Sequence, residues 1–304
     1  MIYKDNFEDL SFLVYGLGIT GQSVVNYFEK HKIKNYLVWD DKNKNLYKKK
    51  RPYNLNKTLK MVNYIVLSPG VSLKKSINKN QLVKYKSKII TDIDIIFLLN
   101  KTFQSIVITG TNGKSTTCKI IYHLLKKNRY KVLLGGNIGT PILNLDIKNY
   151  NYLIIEASSF QLAHSKFIQP DYAILLNITN DHLEWHGSKR NYINSKLKIF
   201  NLQKKKQYAF VNSKFIPEFR KRNFLGRLIT PKKDNYLKIK SKINNSYIKL
   251  NINDENMSYV FSLSKLLKIS EKSFLRSLNT FKGLPHRYEI FLKKKNCIFI
   301  NDSK

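Results

Sequence analysis

Val107–Thr117 reads VITGTNGKSTT, an apolar β-branched run that breaks into glycines and then into Gly-Lys-Ser-Thr. A strand entering such a turn, followed by helical spacing from Lys114 to Lys127, predicts a phosphate-binding loop between a strand and a helix. In the common pattern G-x-x-x-x-G-K-[ST] the first glycine would fall at position 108, which is Ile108, and the nearest glycine is Gly110. The loop is therefore a shortened variant. Lys114 can reach the β- and γ-phosphates, and the Ser115 or Thr116 hydroxyl can bind Mg²⁺. Backbone N–H groups of Gly110, Thr111, Asn112 and Gly113 can cradle phosphate oxygens.

Working outward, YLIIEA (152–157), YAILLNIT (172–179), KVLLGG (131–136) and QYAFV (207–211) predict further strands around the loop, with helices over 187–202 and 256–268. Glu156 closes one of these apolar runs, where a carboxylate offers a hard oxygen ligand to Mg²⁺. NITNDHLEWHG (177–187) places Asp181, His182 and His186 after another strand. The order His-Leu-Glu-Trp-His displaces the glutamate from its place in a zinc-protease helix, so that chemistry is rejected.

A second α/β unit precedes the loop. SFLVYG (11–16), YLVWD (36–40), YIVLSPG (64–70) and KII (88–90) predict strands, with a helix over 21–32. Gly16-Leu17-Gly18-Ile19-Thr20-Gly21 follows the first strand, and Asp40 ends the second. That arrangement suits NAD or FAD, another diphosphate-bearing ligand, or simply a tight strand–helix turn. The β-α-β order predicts parallel sheets with ligands at the carboxyl ends of the strands, and a boundary between units near 95–104.

The 304 residues suffice for two domains, and 42% hydrophobic residues argue for globular structure. The formal charge is +35, from 55 Lys and Arg against 20 Asp and Glu. The lysines are spread along the whole chain, as at 48–51, 204–206 and 293–295. This reads as solvated surface rather than a nucleic-acid patch. Two separated cysteines and no apolar span or leader fit a cytoplasmic protein without membrane segments.

TGTNGKSTT, GGNIGTP (135–141), EASSFQL (156–162), NITNDHLEWHG, YINSKLKIF (192–200) and GLPHRYE (283–289), in this order, resemble the Mur ligases. GLGITG, SPGVS (68–72) and the final INDSK look most like the branch that adds D-glutamate to UDP-N-acetylmuramoyl-L-alanine. A sister ligase adding another amino acid, or a nicotinamide-dependent oxidoreductase, is the alternative.

The resemblance implies an α/β fold with a Rossmann-like UDP-binding domain (1–96) and a central P-loop ATPase domain (97–284). Residues 285–304 would begin a C-terminal Rossmann-like domain that is otherwise missing. It further implies a monomer that uses ATP and two Mg²⁺ ions. The substrate UDP group would lie against Gly18, Thr20, Asp40, Ser68, Pro69 and Gly70. Its muramoyl end would meet Asn137, Ser158, Ser159 and His182.

By the same resemblance Lys114, His182, Lys196 and Arg287 are catalytic, and Asn256, Arg287, Asp302 and Lys304 join the loop around ATP. Ser115, Glu156, His182 and a carbamylated Lys196 hold the metals. Ile252 stands where the family has a histidine near the adenine. The chemistry implied is acyl-phosphate formation followed by amide synthesis, and the 304-residue chain is expected to bind its substrates without completing ligation.

Overall fold

A computed structural model of the chain describes residues 4–73, 75–99, 102–294 and 297–303. The first unit runs β1 (Phe12–Tyr15), α1 (Ile19–Lys30), β2 (Tyr36–Trp39), α2 (Leu55–Met61), β3 (Tyr64–Leu67), α3 (Lys79–Lys84), β4 (Ile89–Ile90) and α4 (Asp92–Leu98). Its sheet is parallel, in the order β2-β1-β3-β4. β1 is Phe-Leu-Val-Tyr and wholly buried, as a parallel strand covered on both faces must be. Alternation divides it: Phe12 and Val14 enter one core, Leu13 and Tyr15 another. The connections leave β1 in opposite directions, so a crevice opens between the ends of β1 and β3.

The second unit runs β5 (Gln104–Thr109), α5 (Lys114–Lys127), β6 (Val132–Gly136), β7 (Tyr152–Glu156), α6 (Ser159–His164), β8 (Tyr172–Leu175), α7 (Leu183–His186) and α8 (Lys189–Leu197). It continues through β9 (Tyr208–Val211), α9 (Ile216–Lys221), β10 (Arg227–Ile229), α10 (Lys233–Lys240), α11 (Ser246–Lys249), α12 (Asp254–Leu266) and α13 (Glu271–Asn279). All six strands are parallel, in the order β10-β9-β8-β5-β7-β6. β5 lies between β7 and β8, and its end is again a switch point. An antiparallel ribbon of β11 (Glu289–Lys294) and β12 (Cys297–Asn301) follows.

The nine strands expected from the sequence all form, most of them shorter at one end. The run expected to continue to 179 stops at Leu175, because Asn177 and Thr179 turn their polar groups to the phosphate loop. The helix expected over 187–202 is α8 plus a 3₁₀ turn at Lys198–Phe200.

One apolar core runs through both units. Phe12, Val14, Ile93 and Phe97 belong to the same cluster as Val107, Leu153, Leu162 and Phe200. Every residue of α4 is buried, as its sequence DIDIIFL requires of a helix apolar on nearly all sides. Its two carboxylates are satisfied across the seam. Asp94 accepts from Ser165 Oγ at 2.6 Å and from the Lys166 and Phe167 amides at 2.9 and 2.8 Å. Gln161 Nε2 donates to Asp92 at 3.1 Å. Buried acceptors with several donors are what make such charged groups tolerable in a core.

Candidate functional site at the switch point of the second sheet

Ile108 is fully buried inside β5, paired in register with Glu156 of β7. The strand thus continues to Thr109, which leaves four residues, 110–113, to make the turn. This is why the glycine of the longer pattern is absent. Gly113 sits at φ +80°, and a Cβ there would lie 2.3 Å from Asn256 Oδ1. Both facts demand glycine. Asn177 braces the turn, since its Oδ1 accepts from the Thr111 and Asn112 amides at 3.1 and 2.9 Å. Its Nδ2 donates to the Asn112 carbonyl at 3.1 Å. The Thr111 hydroxyl lies 2.9 Å from the Tyr192 hydroxyl. Beyond the turn, Ser115 and Thr116 are buried in the first turn of α5, where helix N–H groups lack intrahelical partners and favour anions.

Two ammonium groups converge on one carbonyl. Lys114 Nζ donates to the oxygens of Gly110 and Thr111 at 3.0 and 2.8 Å, and Lys196 Nζ donates to Gly110 at 2.7 Å. Lys196 is 2% exposed. Its pKa falls to about 7, mainly through burial and then through repulsion from Lys114, with Asp181 opposing. Burial also lowers Lys114, against the attraction of Glu156 and Asp181. Glu156 is 2% exposed; Oε1 accepts from Asn137 Nδ2 at 3.1 Å, while Oε2 is buried without a hydrogen-bond partner. Gly136 at φ +104° brings the 135–137 turn against this strand, where a Cβ would meet the Glu156 carbonyl at 2.5 Å.

His182 sits at φ +50° just before α7, half exposed, with Nδ1 3.3 Å from Asp181 and its ring 4.8 Å from Phe160. Among the described residues, no three of His, Cys, Asp and Glu gather closely enough to hold a metal unaided. Ser158 is engaged as the cap of α6 in a reciprocal pair with Gln161, and Ser159 Oγ lies 3.0 Å from Nε2 of the buried His186.

A cavity of about 470 Å³ opens beside the loop and collects Asn112, Gly113, Thr116, Asn256, Arg287 and Asp302. Distant segments of sequence thus meet here. Ile252, 81% exposed, and Tyr247 also line it. Tyr247 carried no expectation from the sequence; nor did Asn177 or Tyr192, whose roles depend on contacts 65 to 81 residues away. Asp302 accepts from the Tyr288 amide at 3.2 Å, tying β12 to the turn that carries Arg287. Lys304 lies outside the described residues.

The remaining predicted residues cluster at the first sheet. A Cβ on Gly21 would lie 1.8 Å from the Gly16 carbonyl, so α1 starts hard against the β1 turn. Ser68 Oγ donates to that same carbonyl at 2.7 Å, which fixes the β3 turn bearing Pro69 and Gly70 beside it. Gly18 and Gly70 are open, with nothing within 4 Å of a Cβ, and Thr20 is in the first turn of α1. Asp40 uses its carboxylate on backbone: it accepts from Leu17 at 2.6 Å, Lys42 at 2.8 Å and Asn43 at 2.7 Å. Burial raises its pKa, but these amides and Arg51 outweigh it and leave the group more acidic than usual.

Residues 108–274 match the family described as the Mur ligase middle domain, and residues 11–90 match the Mur ligase MurD-like, N-terminal domain. The chain is 34% identical over 326 residues to the UDP-N-acetylmuramoylalanine--D-glutamate ligase of Buchnera aphidicola subsp. Schizaphis graminum, covering 98% of this chain and 72% of the relative. The protein of the same name from Rickettsia prowazekii is 35% identical over 325 residues, covering 96% and 71%. Among solved structures, the MurF ligase from Thermotoga maritima in complex with ADP shares the fold, with a TM-score of 0.54 at 19% identity, over 96% of this chain and 67% of that one.

Proposed function

The chain belongs to the Mur ligase family of ATP-dependent peptidoglycan-precursor ligases, and from that premise we propose that it joins D-glutamate to UDP-N-acetylmuramoyl-L-alanine at the switch point of the second sheet. The observation that carries the reading is the meeting of the phosphate loop with Glu156, whose unpartnered buried oxygen lies among the groups that set the charge of Lys114. We assign residues 1–96 to the sugar nucleotide, 97–284 to ATP, and 285–304 to the start of an amino-acid-binding domain. The protein is taken to act in the cytoplasm as a monomer.

In this reading the L-alanine carboxylate attacks the γ-phosphorus of ATP, ADP leaves, and an acyl phosphate forms. The amine of D-glutamate then attacks the activated carbonyl, loses a proton, and phosphate departs. Lys114 moves from the loop carbonyls to the transferring phosphoryl oxygens, and the first turn of α5 faces the same charge. Arg287 supplies a second cation from the far side of the cavity, while Asn256 and Asp302 position the nucleoside. Gly18, Thr20 and the Ser68–Gly70 turn hold the UDP diphosphate at the crevice of the first sheet. Asn137, Ser158, Ser159 and His182 orient the muramoyl end.

The donor set suits Mg²⁺. Glu156 has a spare buried oxygen, Ser115 a hydroxyl at the same edge, and His182 an exposed ring for a second ion. The missing anionic ligand comes from Lys196. An amine with a pKa of about 7 is about half neutral at pH 7, and the neutral form would add to CO₂ and release one proton to solvent, giving a carbamate whose oxygens are hard ligands. Held by these residues, Mg²⁺ would supply charge neutralisation at the phosphates and Lewis-acid polarisation of the reacting carboxylate.

Calorimetric titration tests the assignment. UDP-N-acetylmuramoyl-L-alanine and ADP–Mg²⁺ are expected to bind together. Binding of NADH at the first sheet with no binding of the sugar nucleotide would overturn it. A ¹³C carbamate resonance after ¹³C-bicarbonate, lost in Lys196→Gln, checks the lysine.

A further inference from the structure

A second cavity, of about 390 Å³, lies at the seam of the two units, away from the phosphate loop. The first unit contributes Ser72 and Lys86; the second contributes His164, Asn191, Asn194 and Lys198. Among the described residues, no carboxylate lines it. α8 separates it from the loop. Lys196 on that helix points to Gly110, whereas Ser195 and then Lys198 present themselves to the seam. The polar side chains here are two ammonium groups, two amides, two hydroxyls and two imidazoles; Asn191 Nδ2 donates to the His186 carbonyl at 3.0 Å and Ser195 Oγ to the Tyr192 carbonyl at 2.7 Å, while Asn194 Oδ1 accepts from Arg222 at 2.6 Å.

The positive charge is concentrated and only partly opposed, by Asp94. Lys198 Nζ donates to the Ala163 carbonyl at 2.5 Å, which holds it over the end of α6. Lys166, on the adjoining loop, donates to the Ser87 carbonyl and so brings a third ammonium beside the 86–88 turn. The nearest carboxylate in this field is Asp94, whose two oxygens accept from Thr91, Ser165, Lys166 and Phe167. That carboxylate is already committed. Burial lowers the Lys198 pKa, Asp94 opposes, and Lys86 and Lys166 lower it further. For His164, burial and then Lys198 and Lys86 push the pKa down to about 4, and its buried Nε2 has no partner.

We propose that this seam cavity binds a phosphate-class oxyanion, gripped by Lys86 from the first unit and by Lys198 with Asn191 and Asn194 from the second. A dianion there relieves the repulsion among the lysines and converts two facing surfaces into a bridged contact. The cavity borders the muramoyl end assigned above through His186, whose Nε2 lies 3.0 Å from Ser159 Oγ. Its ligand is either free phosphate or the phosphate of a small monoester, which the cavity volume admits.

The test is titration of the whole chain with orthophosphate, and in parallel with glycerol phosphate, at ionic strength held constant with NaCl. Lys86 is exposed and has no packing role, so Lys86→Glu is expected to fold; Lys198→Gln is the second variant. Both should weaken binding at least tenfold, while the remote Lys238→Glu stays within twofold of the parent. Tighter binding of the monoester identifies an esterified ligand, and tighter binding of orthophosphate the free ion. Lys86→Glu within twofold of the parent, or equal weakening by Lys238→Glu, overturns the proposal.

Discussion

Lys196 is enclosed by the Gly110 carbonyl at 2.7 Å and the Tyr192 ring at 4.7 Å, with a second ammonium close by. Its proton leaves at a pH of about 7 in the folded chain, against about 10.4 when unfolded. Between those values the unfolded state binds more protons, so raising the pH favours the native state by at most about 1.4 kcal/mol per unit. In CO₂-free buffer, the stability of the parent relative to Lys196→Met should therefore rise by about 2 kcal/mol from pH 7 to pH 9. Parallel urea curves at the two pH values would show that the ammonium is solvated.

Gly113 offers a second check. Alanine at φ +80°, with a Cβ 2.3 Å from Asn256, strains the turn by about 1–2 kcal/mol and should weaken ADP binding roughly tenfold. Unchanged ADP affinity would mean that Asn256 swings away freely. At this scale Gly113 and Lys114 were legible, because their spacing is local. The significance of Lys196 rested on family resemblance, and Asn177, Tyr192 and Tyr247 were invisible because tertiary contact alone gives them their roles.

At the scale of elements, α4 is the joint between the sheets, and it carries two buried carboxylates on an otherwise apolar surface. Burial raises Asp92 to about 6, against the hydrogen bond from Gln161. The folded state thus holds its proton more tightly than the unfolded one, and stability is lost as pH rises from about 4 to about 6. Asp92→Asn keeps an acceptor for Gln161 and removes the buried charge. It should stabilise the chain by on the order of 1–3 kcal/mol at pH 7 and by nothing below pH 4. Thermal unfolding at pH 4 and pH 7 measures this, and a destabilised variant at pH 7 would mean that the carboxylate is needed charged.

The strands of both sheets were legible because buried parallel strands are short apolar runs between turn residues. β10 and the ribbon of β11 and β12 were not: β10 has only three residues, too few to show a period, and β11 ends in Lys-Lys. α4 was equally hidden: a helix buried all round has no polar face to give it a period.

For the whole molecule, the charge is what most separates composition from fold. An excess of 35 cationic residues has nowhere to pair, and ion pairs such as Lys242–Glu271 and Arg222–Glu218 neutralise a small part of it. The shared core through α4 holds both units together against this repulsion. Self-repulsion destabilises a compact state, and salt screens it over about 10 Å at 0.1 M. Raising NaCl from 20 to 300 mM should therefore raise the Tm by about 3 °C for a chain of this size if about 2 kcal/mol of repulsion is screened. Lys86→Glu and Lys238→Glu, each removing two units of charge, should reduce that salt dependence by similar small amounts. The two variants then differ in phosphate affinity alone, which separates the general field of the molecule from the local grip of the seam. A Tm independent of salt would mean that the lysines extend far enough into solvent to be screened already by water.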